Sequence, residues 1–167
     1  MAQLEGSEYM YTSAEIGVAL AGFAALVISF RQRQDSSLSD ADRLVVASLV
    51  ERGLMAAFFS FLPILFSGLG LSERLIWFFS SGIFVAYGVS IMIRSARSHR
   101  ISGGLASNPA FYILFAVGIL MVALQVCHAL ALGIRQSAWW YLVAITWLLV
   151  SAGYRFFFVL RGWVRAT

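Results

Sequence analysis

The feature that most constrains the fold is an uncharged run over residues 53–71, which is 19 residues long. At a helical rise of ~1.5 Å per residue it measures about 28 Å, close to the thickness of the hydrocarbon layer of a bilayer. Glu51 and Arg52 stand immediately before it. An uncharged helix of this length is typical of a membrane span, so this part of the chain is predicted to be surrounded by lipid.

The composition of the whole chain agrees with a membrane location. The chain has 167 residues, of which 60% are hydrophobic and 12% are charged, whereas charged residues make up about 25% of an ordinary soluble domain. Too few polar residues are present to cover the surface of a water-soluble fold. The single cysteine, Cys127, excludes an internal disulfide and a cysteine-based metal site.

Four further apolar runs have the length of a span, so the expected fold class is all-α, a polytopic bundle of five transmembrane helices. The predicted spans cover about residues 12–30, 44–70, 73–93, 109–134 and 138–160, within a single transmembrane domain over residues 1–167. The first span is predicted to open with a capping box, in which the side chains of Thr12 and Glu15 each satisfy a backbone donor of the first turn.

Arginines are distributed unevenly between the two ends of the predicted bundle. One end holds nine of them: Arg31, Arg33, Arg43, Arg52, Arg94, Arg97, Arg100, Arg161 and Arg165. The other end holds Arg74 and Arg135. By the positive-inside rule, the C-terminus is expected in the cytoplasm and the N-terminus outside. Because so few residues lie outside the spans, we expect a bacterial cytoplasmic (inner) membrane protein.

Five residues of the first span share one narrow helical face, since they follow one another at alternating spacings of three and four. They are Glu15, Val18, Gly22, Ala25 and Ser29. In an oligomer this face would line a pore, with Glu15 collecting cations at the outer mouth and Arg31 and Arg33 at the inner mouth. The alternative is close helix packing, the common use of small residues in membrane helices, with Glu15 serving only its capping box.

Glu51 and Arg155 are predicted to lie at one depth, near the cytoplasmic ends of the second and fifth spans. A charge within hydrocarbon costs about 3 kcal/mol on insertion scales, so Arg155 is expected to face the bundle and to pair with Glu51. A functional pair would form a gate or an element of an ion pathway. The alternatives are a structural buried pair, or an arginine that extends to the lipid head groups.

Gln125 and His128 form a polar cluster in the fourth span, three residues apart and on neighbouring faces. They are candidates for a proton-sensitive or ligand-contacting site, and the alternative is a hydrogen-bonded core histidine. No cofactor or metal is predicted, because His99 lies in a predicted loop and not at ligand spacing from His128. Cys127 and His128 point about 100° apart on a helix, which disfavours a nucleophilic pair.

No enzyme signature is present, because the sequence contains no paired carboxylates, phosphate loop or nucleophile with a positioned base. We therefore expect a protein that is not an enzyme. One expected function is a small homo-oligomeric channel or pore that conducts ions or small solutes across the lipid bilayer. The alternative is a non-catalytic structural or sensory subunit that binds a partner membrane protein. Nucleic-acid binding is not expected, because the arginines lie in short loops and form no contiguous basic face.

Overall fold

The computed structural model describes residues 4–33, 40–101 and 109–164, and every regular element in these ranges is an α-helix. The helices are α1 (Ser7–Arg33), α2 (Asp40–Gly68), α3 (Glu73–Ile101), α4 (Pro109–Ala129) and α5 (Ala138–Val164). By length and composition, each contains a stretch able to cross a membrane: Ser7–Phe30, Val46–Gly68, Glu73–Arg94, Tyr112–Ala129 and Ala138–Phe157. The predicted all-α class and the five membrane-length helices are therefore confirmed. Arg165, used in the orientation argument, lies outside the described residues.

Helix α1 begins earlier than the sequence predicts. Its first residue is Ser7, and Glu8 in the first turn interacts favourably with the positive end of the helix dipole. Thr12 lies inside the helix, where its hydroxyl donates to the carbonyl of Glu8 at 3.0 Å. The predicted capping box of Thr12 and Glu15 is wrong, because residues 7–11 continue the helix and leave no helix start at Thr12 to cap.

Helix α4 ends at Ala129, although the fourth span was predicted to run to residue 134. After it, Leu132 N–H donates to the carbonyl of Cys127 at 2.8 Å and Ala131 N–H donates to the carbonyl of His128 at 3.3 Å. This pair of bonds is a Schellman motif, and it places Ala131 at a left-handed φ of 53°. Apolar residues continue past the end of α4, so the prediction from hydrophobicity placed the C-terminal end of this helix too late.

Helix α2 ends in the same motif, within the small-residue segment over residues 67–70. Leu71 N–H donates to the carbonyl of Phe66 at 3.3 Å, and Gly70 N–H donates to the carbonyl of Ser67 at 3.0 Å. Gly70 has φ 74°, a left-handed conformation that glycine adopts without a steric cost. The next helix, α3, follows immediately from Glu73.

The described chain divides into two compact units. Within the described residues, the central unit comprises Leu62–Ala144 with residues 4–5, and the terminal unit comprises Gly6–Phe61 with residues 145–164. Helices α2 and α5 contribute residues to both units, whereas α3 and α4 belong to the central unit and α1 to the terminal unit.

In the terminal unit, the backbones of α1 and α2 touch at a pair of glycines. A Cβ atom added to Gly17 would lie 2.5 Å from the carbonyl oxygen of Gly53, and one added to Gly53 would lie 2.6 Å from the carbonyl oxygen of Gly17. Real Cβ atoms do not approach so closely, so the crossing depends on both glycines. Nearby, a buried core joins α1, α2 and α5 through Ala24, Val46, Leu49 and Ala152.

In the central unit, α3 and α4 pack against each other in antiparallel directions. Gly88 lies against Val122. Ser81, about two helical turns earlier in α3, lies against His128. Trp77 is fully buried, and its ring packs against the rings of both His128 and Tyr141, each with a centroid distance of 5.8 Å.

Candidate functional site

The five residues predicted to line a pore are all exposed in the single chain. We call them the small-residue stripe: Glu15, Val18, Gly22, Ala25 and Ser29. A Cβ atom added to Gly22 would meet nothing within 4 Å. The packing face of α1 is a different one, which carries Ala14, Gly17, Ala21 and Ala24. Within the described chain, the close packing that small residues favour thus occurs on this second face and not on the small-residue stripe.

The exposed surface of α1 has two chemically different sides. Beside the small-residue stripe lies a bulky stripe of Ile16, Phe23, Leu26 and Phe30, all exposed. Large apolar side chains are well suited to lipid, whereas Gly22, Ala25 and Ser29 offer lipid little apolar surface. The two sides of α1 therefore differ in how much apolar surface they offer to a membrane.

Glu15 is the charged residue of the small-residue stripe. It lies eight positions after Ser7, hence ~12 Å along the helix, and within the apolar stretch Ser7–Phe30. An exposed carboxylate at this position would cost about 3 kcal/mol if it faced hydrocarbon, on insertion scales. The side of α1 that carries Glu15 therefore needs water or protein around it.

Two arginines and two serines connect α2 and α5 within the terminal unit. Arg155 Nη1 donates to Ser48 Oγ at 2.5 Å, and Arg52 Nη1 donates to Ser151 Oγ at 2.7 Å. Each helix carries a serine and then an arginine four residues later, so these two side chains lie on the same face of their helix. Because the two helices are antiparallel, each arginine meets the serine of the other helix. We call this arrangement the arginine–serine clasp.

Glu51 lies on the same turn of α2 as the clasp, three residues after Ser48 and next to Arg52. Arg155 is half-buried and reaches that turn through Ser48, so the structure brings the predicted residues to one level of the terminal unit. The ion pair of Glu51 with Arg155 stays a prediction. Hydrogen bonds to charged groups contribute ~1.5–3 kcal/mol each, so the two clasp bonds stabilise the crossing of α2 and α5.

His128 is fully buried in the central unit and has a partner at each ring nitrogen. Ser81 Oγ lies 2.9 Å from Nδ1, and the backbone N–H of Ser137 donates to Nε2 at 3.1 Å. A backbone N–H can only donate, so Nε2 carries no proton. In the neutral ring the proton then resides on Nδ1 and is donated to Ser81.

Gln125 lies one turn before His128 and is also fully buried. Its Nε2 donates to the carbonyl of Trp140 at 2.9 Å, which fixes the orientation of the amide. Its Oε1 and the hydroxyl of Ser80 are buried without a hydrogen-bond partner in the part of the chain that the structure describes. Gln125 and His128 thus both contact the start of α5, but through separate hydrogen bonds.

The serines of the clasp and the glycine crossing were not predicted from the sequence. Ser48 and Ser151 were detectable, because each precedes an arginine by four residues in an apolar segment. Gly17 and Gly53 carried a weaker signal, since Gly22 is an equally good candidate by spacing alone. Only the three-dimensional packing shows that α2 contacts Gly17, whereas an added Cβ at Gly22 would meet nothing within 4 Å.

The fold and the apolar lengths of its helices define an all-α, multi-pass membrane protein. Comparison with protein-family models, with curated proteins and with solved structures found no match. Over residues 4–33, 40–101 and 109–164, no group of three or more His, Cys, Asp and Glu side chains is placed to hold a metal ion.

Proposed function

We propose that this protein is a small homo-oligomeric membrane channel that conducts ions or small solutes. The observation that carries the proposal is the exposure of the entire small-residue stripe of α1 on the protomer, with the carboxylate of Glu15 among small side chains. An oligomer that turns this side of α1 toward its axis would hydrate Glu15 and would leave the bulky stripe to lipid or to neighbouring subunits.

The arginine pattern supports an orientation for the proposed pore. We place the N-terminus outside and the C-terminus in the cytoplasm of a bacterial inner membrane, following the positive-inside rule. Glu15 then lies toward the outer mouth, where a ring of carboxylates attracts cations. The arginine–serine clasp, with Glu51 beside it, lies toward the cytoplasmic ends of α2 and α5. It holds these helices together, and Glu51 with Arg155 is the candidate for an inner gate.

Conductance of the purified protein in planar bilayers tests this function. Glu15→Gln should lower the preference for cations over anions, and the cation current at low ionic strength should fall by about tenfold, because the carboxylates no longer concentrate cations. Glu73→Gln is the matched control, since it makes the same change in charge at the start of α3. Absence of any conductance in the folded wild-type protein would refute the channel function. Unchanged selectivity in Glu15→Gln would remove Glu15 from the pathway.

The second candidate function is a non-catalytic subunit that binds a partner membrane protein. The open surface above Gly22 supports it, because a foreign helix would approach α1 closely there. Purification from the native membrane in mild detergent separates the two functions. A stoichiometric foreign protein supports the subunit, whereas a symmetric ring of this chain alone supports the channel.

A further inference from the structure

The connection between α4 and α5, residues 130–137, is attached to the last turn of α4 largely through His128 and its neighbour. The imidazole Nε2 accepts the backbone N–H of Ser137, directly before α5. The side-chain amide of Gln136 donates to the carbonyls of His128 and Ala129, at 3.2 and 3.1 Å. The ring of His128 thus fixes the residue from which α5 starts.

The bond to Ser137 exists only while His128 is neutral. A second proton would occupy Nε2, because Nδ1 already carries the first and gives it to Ser81. Two N–H donors would then face each other across the 3.1 Å that now separates Nε2 from Ser137 N. The Ser137 N–H would lose its acceptor, and a charged imidazole would be enclosed in the central unit, so the arrangement would have to open.

We propose that His128 and Ser137 form an acid-sensitive latch, which is closed when the imidazole is neutral and which releases the connection between α4 and α5 when His128 takes up a proton. In the proposed orientation this connection faces the outside of the cell, so the latch responds to external acidity. The latch itself depends on neither the channel nor its selectivity.

Besides the connection that supplies Ser137, helices α3, α4 and α5 surround the ring. On α3 the neighbours are Ser81 and Trp77, and the indole N–H of Trp77 lies 3.4 Å from the carboxylate of Glu73. On α5 the titratable group is Tyr141, whose ring packs on Trp77. The titratable neighbour on α4 itself is Cys127, which is half-buried. The cations at the ends of the flanking segments, Arg74 and Arg135, are exposed.

Hydrogen–deuterium exchange of the full-length protein in lipid nanodiscs tests the latch. After correction for intrinsic exchange rates, lowering the pH from about 7.5 to about 5.5 should speed exchange over residues 130–137 by about threefold to tenfold, the equivalent of one lost hydrogen bond. The turn over residues 69–72 is the internal control, because it is closed by the same backbone motif and contains no histidine. It should show no comparable acceleration.

His128→Gln should abolish the response, since an amide oxygen accepts the Ser137 N–H and takes up no proton in this range. An equal acceleration of both turns in the wild-type protein would overturn the latch. A response that persists in His128→Gln would overturn it as well.

A second measurement does not depend on a variant at His128. The chain has two histidines, so His99→Gln carrying ¹⁵N-labelled histidine gives the signals of one imidazole. Nitrogen chemical shifts at neutral pH should show the proton on Nδ1 and a bare Nε2, and both nitrogens should be protonated when the connection opens. A proton on Nε2 at neutral pH would contradict the assigned bond to Ser137. A connection that opens while Nε2 stays bare would contradict the proposed trigger.

Discussion

Each half-buried arginine between α2 and α5 has a serine hydroxyl as a partner. Arg52 donates to Ser151, whose hydroxyl in turn donates to the carbonyl of Leu148 at 2.8 Å. A serine hydroxyl accepts from a guanidinium N–H without adding a charge of its own. This matters in the apolar ends of α2 and α5, where a charge without a hydrogen-bond partner would be costly.

Ser48→Ala removes the hydroxyl that accepts from Arg155. The variant should lower the free energy of unfolding by about 1.5–3 kcal/mol, because a half-buried charged donor loses one of its hydrogen bonds. Reversible unfolding in mixed detergent micelles measures the change. Ser29→Ala is the control, since that hydroxyl donates to the carbonyl of Ala25 in its own helix and is exposed. Equal losses in both variants would show that the clasp adds no stability.

At the scale of helices, the sequence predicts the number, type and approximate place of the elements, because a membrane span requires about 20 apolar residues in an unbroken helix. It predicts the ends less well. The hydroxyl of Thr12 resembles a cap in sequence but bonds to a carbonyl one turn earlier. Ala131 takes a left-handed conformation that its residue type does not signal. These ends depend on backbone hydrogen bonds that apolar periodicity does not report.

The candidate site was predictable only in part, for a related reason. The stripe on α1 follows from helical spacing alone, and the structure places its five residues on one exposed side. The partners of Arg155 and His128 lie 107 and 47 residues away along the chain, at Ser48 and Ser81. Such pairs depend on which helices become neighbours, and local sequence does not specify this.

Gly17→Ala tests the crossing of α1 and α2. The added methyl group would overlap the backbone of α2 at Gly53, and the helices would have to separate. The free energy of unfolding should fall by about 1–3 kcal/mol, the usual cost of overpacking. Gly22→Ala is the matched control in the same helix, because its Cβ meets nothing within 4 Å. It should be neutral or stabilising by about 0.5–1 kcal/mol, since alanine favours helix over glycine. A thermal or denaturant titration in which both variants behave alike would contradict the assigned packing face.

At the scale of the whole molecule, the proposed pore requires different surroundings for the two exposed sides of α1. Gly22 and Phe23 are consecutive and both exposed in the single chain. They point about 100° apart, so an assembly can give one to water and the other to lipid. Within its own chain Phe23 packs against Phe156, with ring centroids 6.4 Å apart, yet its side chain stays 57% exposed, so further protection from water has to come from the surroundings of α1.

The most direct measurement is the labelling of single cysteines in intact cells with a water-soluble, membrane-impermeant thiol reagent. It compares Gly22→Cys with Phe23→Cys, each in a Cys127→Ala background so that the native thiol does not react. A pore lined by the small-residue stripe predicts modification at position 22 and protection at position 23. Equal modification of the two positions, or protection of both, would contradict the proposed pore.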